Sequence, residues 1–217
     1  MMKVSGVILA GGKSRRMGQD KTLMTFNNET LIGHMIKELK DVTDEIIIAS
    51  NHSNKYQFPG ITEVVDIYPG KGPLAGVHAG LTAAMNEYAF VVSSDMPLFQ
   101  GKLVTYLAER APDYDVVVPK PFGYWEPLCA LYSKNCLPVM EKYLRASDHA
   151  VAAFHFYPEV KVLEINEKEL SASGNMKHLF YNVNTPEDYQ ALMRQENLKD
   201  NRKSFFHKEA SDQKKVL

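Results

Sequence analysis

Hydrophobic and polar positions along the chain switch between two periods. Val4–Leu9 is a short β-branched apolar run that stops at Ala10-Gly11-Gly12, as a buried strand does on entering a loop. Leu31, Ile32, Met35, Ile36 and Leu39 recur at helical spacing and predict a helix over residues 29–42. Glu45–Ala49 predicts a second buried strand and Thr62–Val65 a weaker third. Pro73–Glu87 predicts a helix with Leu74, Val77, Leu81, Ala84 and Met85 on one face, and Pro73 suits its first turn. Tyr88–Ser93 is the next strand and runs into Ser94-Asp95-Met96-Pro97. A helix over Leu103–Arg110, an extended Asp115–Pro119, a strand Leu128–Tyr132 and a helix Lys134–Arg145 follow. Val160–Ile165 alternates like a strand, and Thr185-Pro186-Glu187-Asp188 opens a last helix reaching Glu196.

Strands that alternate with helices of ten or more residues imply βαβ units, hence an α/β protein: a mainly parallel sheet with helices on both faces. The near-continuous apolar strands agree, because a sheet covered on both sides has no polar face to alternate with. The pattern contains no repeat and no low-complexity linker. It predicts one domain over residues 1–196 and a tail over 197–217.

Composition narrows the class. A chain of 217 residues, 45 % hydrophobic, builds its core without a disulfide or metal staple. Its two cysteines, Cys129 and Cys136, fit neither a zinc site nor a disulfide framework, which predicts a reduced, cytoplasmic setting. No apolar run approaches the roughly 18–20 residues of a membrane span, and the first residues do not read as a secretory signal. A net charge of −1 argues against a nucleic-acid binder that works by neutralising phosphates. That charge is an average. Residues 197–217 hold six Lys/Arg against three acids, so a tail of net +3 follows a body of net −4. The plain expectation for the tail is a mobile terminus, the alternative a docking or anion-attracting arm.

In an open parallel sheet, ligands bind beyond the carboxyl ends of the strands. After the first strand come Gly11-Gly12-Lys13-Ser14-Arg15-Arg16-Met17-Gly18 and Asp20-Lys21. Asp66 and Pro69-Gly70-Lys71-Gly72-Pro73 follow the third, Asp95 the fourth, and Asn182-Val183-Asn184 ends the connection after the last. Two glycine-rich basic loops, two carboxylates and two asparagines are thus expected at one sheet edge. The first loop has the makings of a phosphate cradle, with backbone N–H groups freed by glycine and Lys13, Arg15, Arg16 and Lys21 to neutralise a triphosphate. It is not a P-loop, because Val7 stands where that motif needs glycine, and it lacks the G-x-G-x-x-G dinucleotide pattern. Asp95 is placed to ligate a Mg²⁺ that bridges phosphates, its plainer role being the N-cap of a helix from Leu98. Asp66 reads as a site residue or as a turn residue before Tyr68-Pro69-Gly70. The histidines, His34 and His178 among them, show no ligand spacing, and Cys129 reads as core. No Ser/His/Asp set stands out.

These segments, Val7–Gly18 with Asp20-Lys21, Gly72-Pro73-Leu74-Ala75-Gly76, Ser94-Asp95-Met96-Pro97 and Asn182–Asp188, resemble in order those of the molybdenum cofactor guanylyltransferases. The resemblance runs from about residue 5 to 193. It implies a Rossmann-like three-layer α/β/α fold of the nucleotide-diphospho-sugar transferase type. It also implies transfer of GMP from GTP to the phosphate of molybdopterin, or of its molybdenum-bound form, with release of pyrophosphate. Leu9, Ala10 and Gly11 would contact GTP through backbone groups, Lys21 its phosphates and Asp66 its guanosine part. Asp95 would hold the nucleotide and Mg²⁺, while Arg16 and Lys21 would stabilise charge on the departing pyrophosphate. Leu9-Ala10-Gly11-Gly12, rather than the Leu-Ala-Ala-Gly of cytidylyl-transferring relatives, favours guanine. The implied partners are the substrates and other cofactor-biosynthesis proteins or acceptor apoenzymes, with no nucleic acid and no membrane, and the chain is taken as a monomer. The alternatives are a cytidylyl- or sugar-phosphate nucleotidylyltransferase on the same fold and a non-catalytic GTP-binding regulatory module. Two positions depart from the family pattern. Glu126-Pro127 stands where relatives often carry His-Pro, and Ala49 where some carry a nucleotide-contacting Asn, with Asn51 two residues on.

Overall fold

A computed structural model describes residues 2–11, 21–26, 28–52, 54–171 and 176–194. The described strands are β1 (Val4–Leu9), a short hairpin of β2 (Thr25–Phe26) and β3 (Glu29–Thr30), β4 (Glu45–Ser50), β5 (Thr62–Val65), β6 (Tyr88–Ser93), β7 (Val116–Lys120), β8 (Cys129–Ser133) and β9 (Val162–Asn166). The helices are α1 (Leu31–Lys40), α2 (Pro73–Ala83), α3 (Gly101–Ala108), α4 (Leu137–Ala146), the short α5 (Glu167–Ser171) and α6 (Met176–Leu179), and α7 over residues 186–194.

Seven strands form one sheet in the order 5-4-1-6-8-7-9. β5, β4, β1 and β6 are mutually parallel, and β9 runs parallel to β7. β8 runs antiparallel to both neighbours, because it returns from β7 through a short connection rather than through a helix. One face packs Ile8, Ile48, Phe90 and Val92 against Met35 and Leu39 of α1 and Leu103 and Leu107 of α3. The other packs Val7, Ile47 and Val91 against Leu74 and Val77 of α2 and Met140 and Leu144 of α4. The fold is therefore the expected three-layer α/β/α arrangement. A smaller cluster of Phe26, Leu31, Leu98, Val183 and Leu192 fixes the hairpin and α7 beside the main core.

Most predicted elements recur with shifted ends. The expected helix over 29–42 shortens to α1 because Glu29 and Thr30 complete the hairpin, and Thr30 Oγ1 then caps the helix by accepting from the Gly33 N–H. α2 ends at Ala83, with Ala84 extended, so Met85 is not on the buried face but 76 % exposed. Asp95 caps no helix, since α3 starts only at Gly101 behind Gln100. Cys129 is core, as expected, and both cysteines are free and buried. Among the described residues no helix is long and apolar enough to cross a membrane.

Candidate functional site

The parallel strands bring their carboxyl ends to one edge, and the candidate residues gather there. Leu9 ends β1 opposite Ala49 of β4 and Ser93 of β6. The ladder continues one step, with the Ala10 N–H donating to Ala49 O at 2.8 Å and the Ser94 N–H to Leu9 O at 3.0 Å. Those bonds occupy the Ala10 N–H and one lone pair of the Leu9 carbonyl. The Ala10 carbonyl accepts from the Tyr56 hydroxyl at 3.4 Å, and Tyr56 accepts from the buried Thr22 at 3.1 Å. Backbone contact with a ligand therefore falls to the remaining carbonyl lone pairs and to Gly11.

Gly11 has a neighbour that spacing alone did not assign. A Cβ on Gly11 would lie 3.2 Å from the Asn51 Oδ1, so the Asn51 amide stands directly against this glycine. Asn51 thus reaches the end of β1 although it is Ala49 that pairs with Leu9, because the chain bends just beyond Ser50. Ser50 helps set that turn: its hydroxyl accepts from the His52 N–H at 3.2 Å and donates to Glu63 at 3.0 Å.

Asp66 follows β5 and is half-buried, and burial raises its carboxyl above the usual range. A Cβ on Gly76, in the first turns of α2, would sit 3.7 Å from Asp66 Oδ1 and 3.4 Å from the Leu9 side chain. Asp66 is thereby brought to the end of β1. The second glycine-rich loop is fastened to the segment after α4. Gly72 takes φ +78°, and a Cβ there would stand 2.8 Å from Ala150, so the loop lies tight against the segment after α4. The Lys71 Nζ donates to the Ser147 carbonyl, and the Val151 N–H donates to Lys71 O at 2.7 Å. Lys71 holds two loops together instead of presenting its charge at the sheet edge.

Asp95 follows β6, beside β1. Its backbone carbonyl accepts from the Val183 N–H at 2.7 Å, which draws the segment Asn182–Asn184 to the same point. Asp188 secures that segment by accepting from the N–H groups of Asn184 at 2.9 Å and Thr185 at 2.8 Å, while Thr185 Oγ1 caps the Asp188 N–H. On the far side of Asp95 lies Glu126, in the connection from β7 to β8. Its N–H donates to Pro119 O at 2.9 Å, its carbonyl accepts from the Cys129 N–H at 3.0 Å, and the Ser93 N–H donates to Leu128 O at 2.7 Å. These bonds tie the connection to the end of β6. Burial, with the nearby Asp95 charge as a second cause, pushes the Glu126 carboxyl up to about 7.

Leu9, Ala10, Gly11, Asp66 and Asp95 thus lie along one sheet edge, with Asn51 against Gly11 and Glu126 near Asp95. Asn51 was visible in the sequence as an asparagine near the second strand's end, and Glu126 as a departure from the family pattern. Residues 12–20, with Arg16, lie outside the described residues. Lys21 opens a 3-10 turn, Lys21–Leu23, and its side chain is likewise outside them. Among the described residues no group of three His, Cys, Asp or Glu is arranged to hold a metal on its own. A divalent ion held by Asp95, with Glu126 nearby, would take its remaining oxygens from phosphates and water.

Residues 6–159 match the family described as MobA-like NTP transferase domain. A probable molybdenum cofactor guanylyltransferase from Carboxydothermus hydrogenoformans is 37 % identical over 200 residues, covering 92 % of this chain and all of its own. The molybdopterin-guanine dinucleotide biosynthesis protein A of Archaeoglobus fulgidus has a similar crystal structure, with TM-score 0.76 at 21 % identity, covering 88 % of this chain and 97 % of that one. A Mycobacterium tuberculosis protein crystallised with manganese shares the fold at TM-score 0.59 and 16 % identity, over 89 % of this chain and 99 % of its own.

Proposed function

The chain belongs to the MobA-like NTP transferase family, and from that membership we propose that it transfers GMP from GTP to the terminal phosphate of molybdopterin or its molybdenum-bound form. The supporting observation is the meeting of Leu9–Gly11, Asp66, Asp95 and the Asn182–Asn184 segment at one sheet edge.

An oxygen of the acceptor phosphate attacks the α-phosphorus of GTP, the bond from that phosphorus to the β-phosphate oxygen breaks, and pyrophosphate leaves. A phosphate monoester at neutral pH is already an anionic nucleophile, so no strong base is required. The difficulty is to hold two anions together, and positioning with charge neutralisation answers it. In the proposed assignment Leu9, Ala10 and Gly11 offer backbone groups to the nucleotide, with the Asn51 amide beside them. Asp66 accepts from the guanosine part. Lys21 holds the phosphates, and with Arg16 it stabilises charge on the departing pyrophosphate. Asp95, flanked by Glu126, is the carboxylate for a divalent metal, which we take to be Mg²⁺. When bound, that ion neutralises phosphate charge between the two substrates. The same reading takes residues 1–196 as the catalytic domain, 197–217 as a basic appendage, and the enzyme as a cytoplasmic monomer whose product passes to other cofactor-biosynthesis proteins or apoenzymes.

The test is purified protein with GTP, Mg²⁺ and molybdopterin, followed by pyrophosphate release and detection of the guanine dinucleotide. Wild type is expected to turn over with GTP and not with CTP. Asp95→Asn is expected to keep its thermal transition and lose on the order of 10²–10³ in rate. Turnover of that variant near the wild-type rate would remove Asp95 from the metal role. Preference for CTP would overturn the guanine assignment.

A further inference from the structure

On the opposite side of Asp95 from the proposed nucleotide residues, the β7–β8 connection carries an unusual density of exposed aromatic rings. Phe122 and Tyr124 are exposed, and Trp125 is 37 % exposed. Phe154, 40 % exposed, comes from the loop after α4 and meets the Trp125 ring at 6.0 Å between centroids. These rings are not loose. The Trp125 indole N–H donates to Glu164 Oε1 at 2.6 Å, and Lys120 Nζ donates to the other Glu164 oxygen at 2.8 Å. The indole also lies 5.3 Å from the buried Tyr157, whose hydroxyl is 2.8 Å from that of Tyr132 in the core. Phe122 holds φ +54°, a left-handed conformation that costs on the order of 1 kcal/mol or more for a phenylalanine and gathers at functional sites. The two ring planes are tilted by 56°, so the pair makes an open corner in which a flat ligand stacks on one ring and sets its edge against the other; held by a hydrogen bond and a core contact, that corner is preorganised.

The sheet order identifies which flat ligand. Leu9–Gly11, Asn51 and Asp66 follow β1, β4 and β5, on one side of β6, whereas Trp125 and Glu164 belong to β7, β8 and β9 on the other. Asp95 follows β6, between the two groups. Trp125 immediately precedes Glu126, the residue beside Asp95. Two substrates that react at Asp95 therefore approach from opposite sides, and the aromatic side is the acceptor's. We infer that Trp125 and Phe154 form a stacking shelf for the pterin ring of the acceptor, with Glu164 and Lys120 as the polar rim that meets the ring's amino and carbonyl edge. This rests on the proposed acceptor. Guanine presents a similar amino and carbonyl edge, so the experiment must separate the two heterocycles.

Trp125 is the one tryptophan of the chain, and its emission reports on the shelf directly. The full-length protein is titrated with 6-hydroxymethylpterin and, separately, with GTP and Mg²⁺, with inner-filter correction. The pterin is expected to quench saturably, with or without saturating GTP, and GTP alone to leave the emission unchanged. Phe154→Ala keeps the fluorophore and is expected to weaken the pterin titration about tenfold, as removal of one stacking surface does. In steady-state transfer, Phe154→Ala and Trp125→Leu are expected to raise KM for molybdopterin about tenfold, with KM for GTP within about twofold of wild type. Quenching by GTP in competition with the pterin, or a pterin titration identical in wild type and Phe154→Ala, overturns the shelf. If wild type transfers GMP and both variants keep their KM for molybdopterin, the shelf falls and the transferase reading stands. If wild type transfers none while the pterin still quenches saturably, the transferase reading falls and the shelf stands.

Discussion

Glu126 shows how one side chain can carry information its local sequence does not. Its carboxyl is held near 7 by burial first and by the Asp95 charge second. The unfolded chain ionises this group at an ordinary carboxylate value, near 4.3. Below that value both states are protonated and the group is neutral towards stability. As pH rises towards 7 the unfolded chain loses the proton more readily, so folding is progressively penalised, and above about 7 the penalty is complete. Glu126→Gln mimics the protonated form. Measured by thermal or urea unfolding in EDTA, it is expected to match wild type at pH 3.5 and to be more stable at pH 8, by about 2 kcal/mol once solvent screening of this partly exposed group is allowed for. Equal stability of the two proteins at pH 8 would show that the native carboxyl ionises freely. Adding Mg²⁺ is expected to narrow the gap at pH 8, because a cation compensates the wild-type charge and not the amide. Asn51 gives the same lesson without titration: its place against Gly11 depends on a turn after β4 that no motif records.

Between elements, the closest fit is α2 on β1. A Cβ on Gly80 would stand 2.3 Å from the Val7 Cγ1, and Val7 is fully buried. The helix backbone therefore rides directly on the strand that carries Leu9–Gly11, and the same helix begins beside Asp66. Alanine would gain up to about 1 kcal/mol in helix propensity, but it must push the helix off the strand. Gly80→Ala is expected to cost about 2 kcal/mol net and to lower Tm by roughly 4–8 °C. Combining it with Val7→Ala should cost less than the sum of the single variants, which a double-mutant cycle by thermal unfolding will show. Strict additivity would place the strain elsewhere. The helices themselves were legible from their apolar spacing. Their ends were not, because Ala84 leaves α2 and Glu29-Thr30 leave α1 for tertiary reasons: the turn into β6 and the pairing with Thr25-Phe26.

Over the whole molecule the charge of −1 conceals a net +3 over residues 197–217 and a net −4 over the rest. Removing residues 197–217 leaves a more negative enzyme facing an anionic nucleotide. The truncated protein is expected to keep kcat/KM for GTP within about twofold at 0.15 M salt and to lose several-fold at about 0.01 M, where the Debye length exceeds the size of the site. A large loss at both ionic strengths would mean that the tail works by contact rather than by its field. The order of the main strands and helices, the three-layer class, the buried strand runs and the gathering of strand-end residues followed from residue order, whereas the β2–β3 hairpin and the short α5 and α6 did not. Hydrophobic period is local, and parallel strands joined by helices must end on one side. Other features were decided only when distant segments met. These include the antiparallel β8, the diversion of Lys71 to Ser147, and the pairings of Asn51 with Gly11 and Glu126 with Asp95. The meeting of Trp125 with Phe154 belongs with them. Each depends on the path of a loop, and a loop's path is set by hydrogen bonds and packing to residues far away in the chain, which local periodicity does not encode.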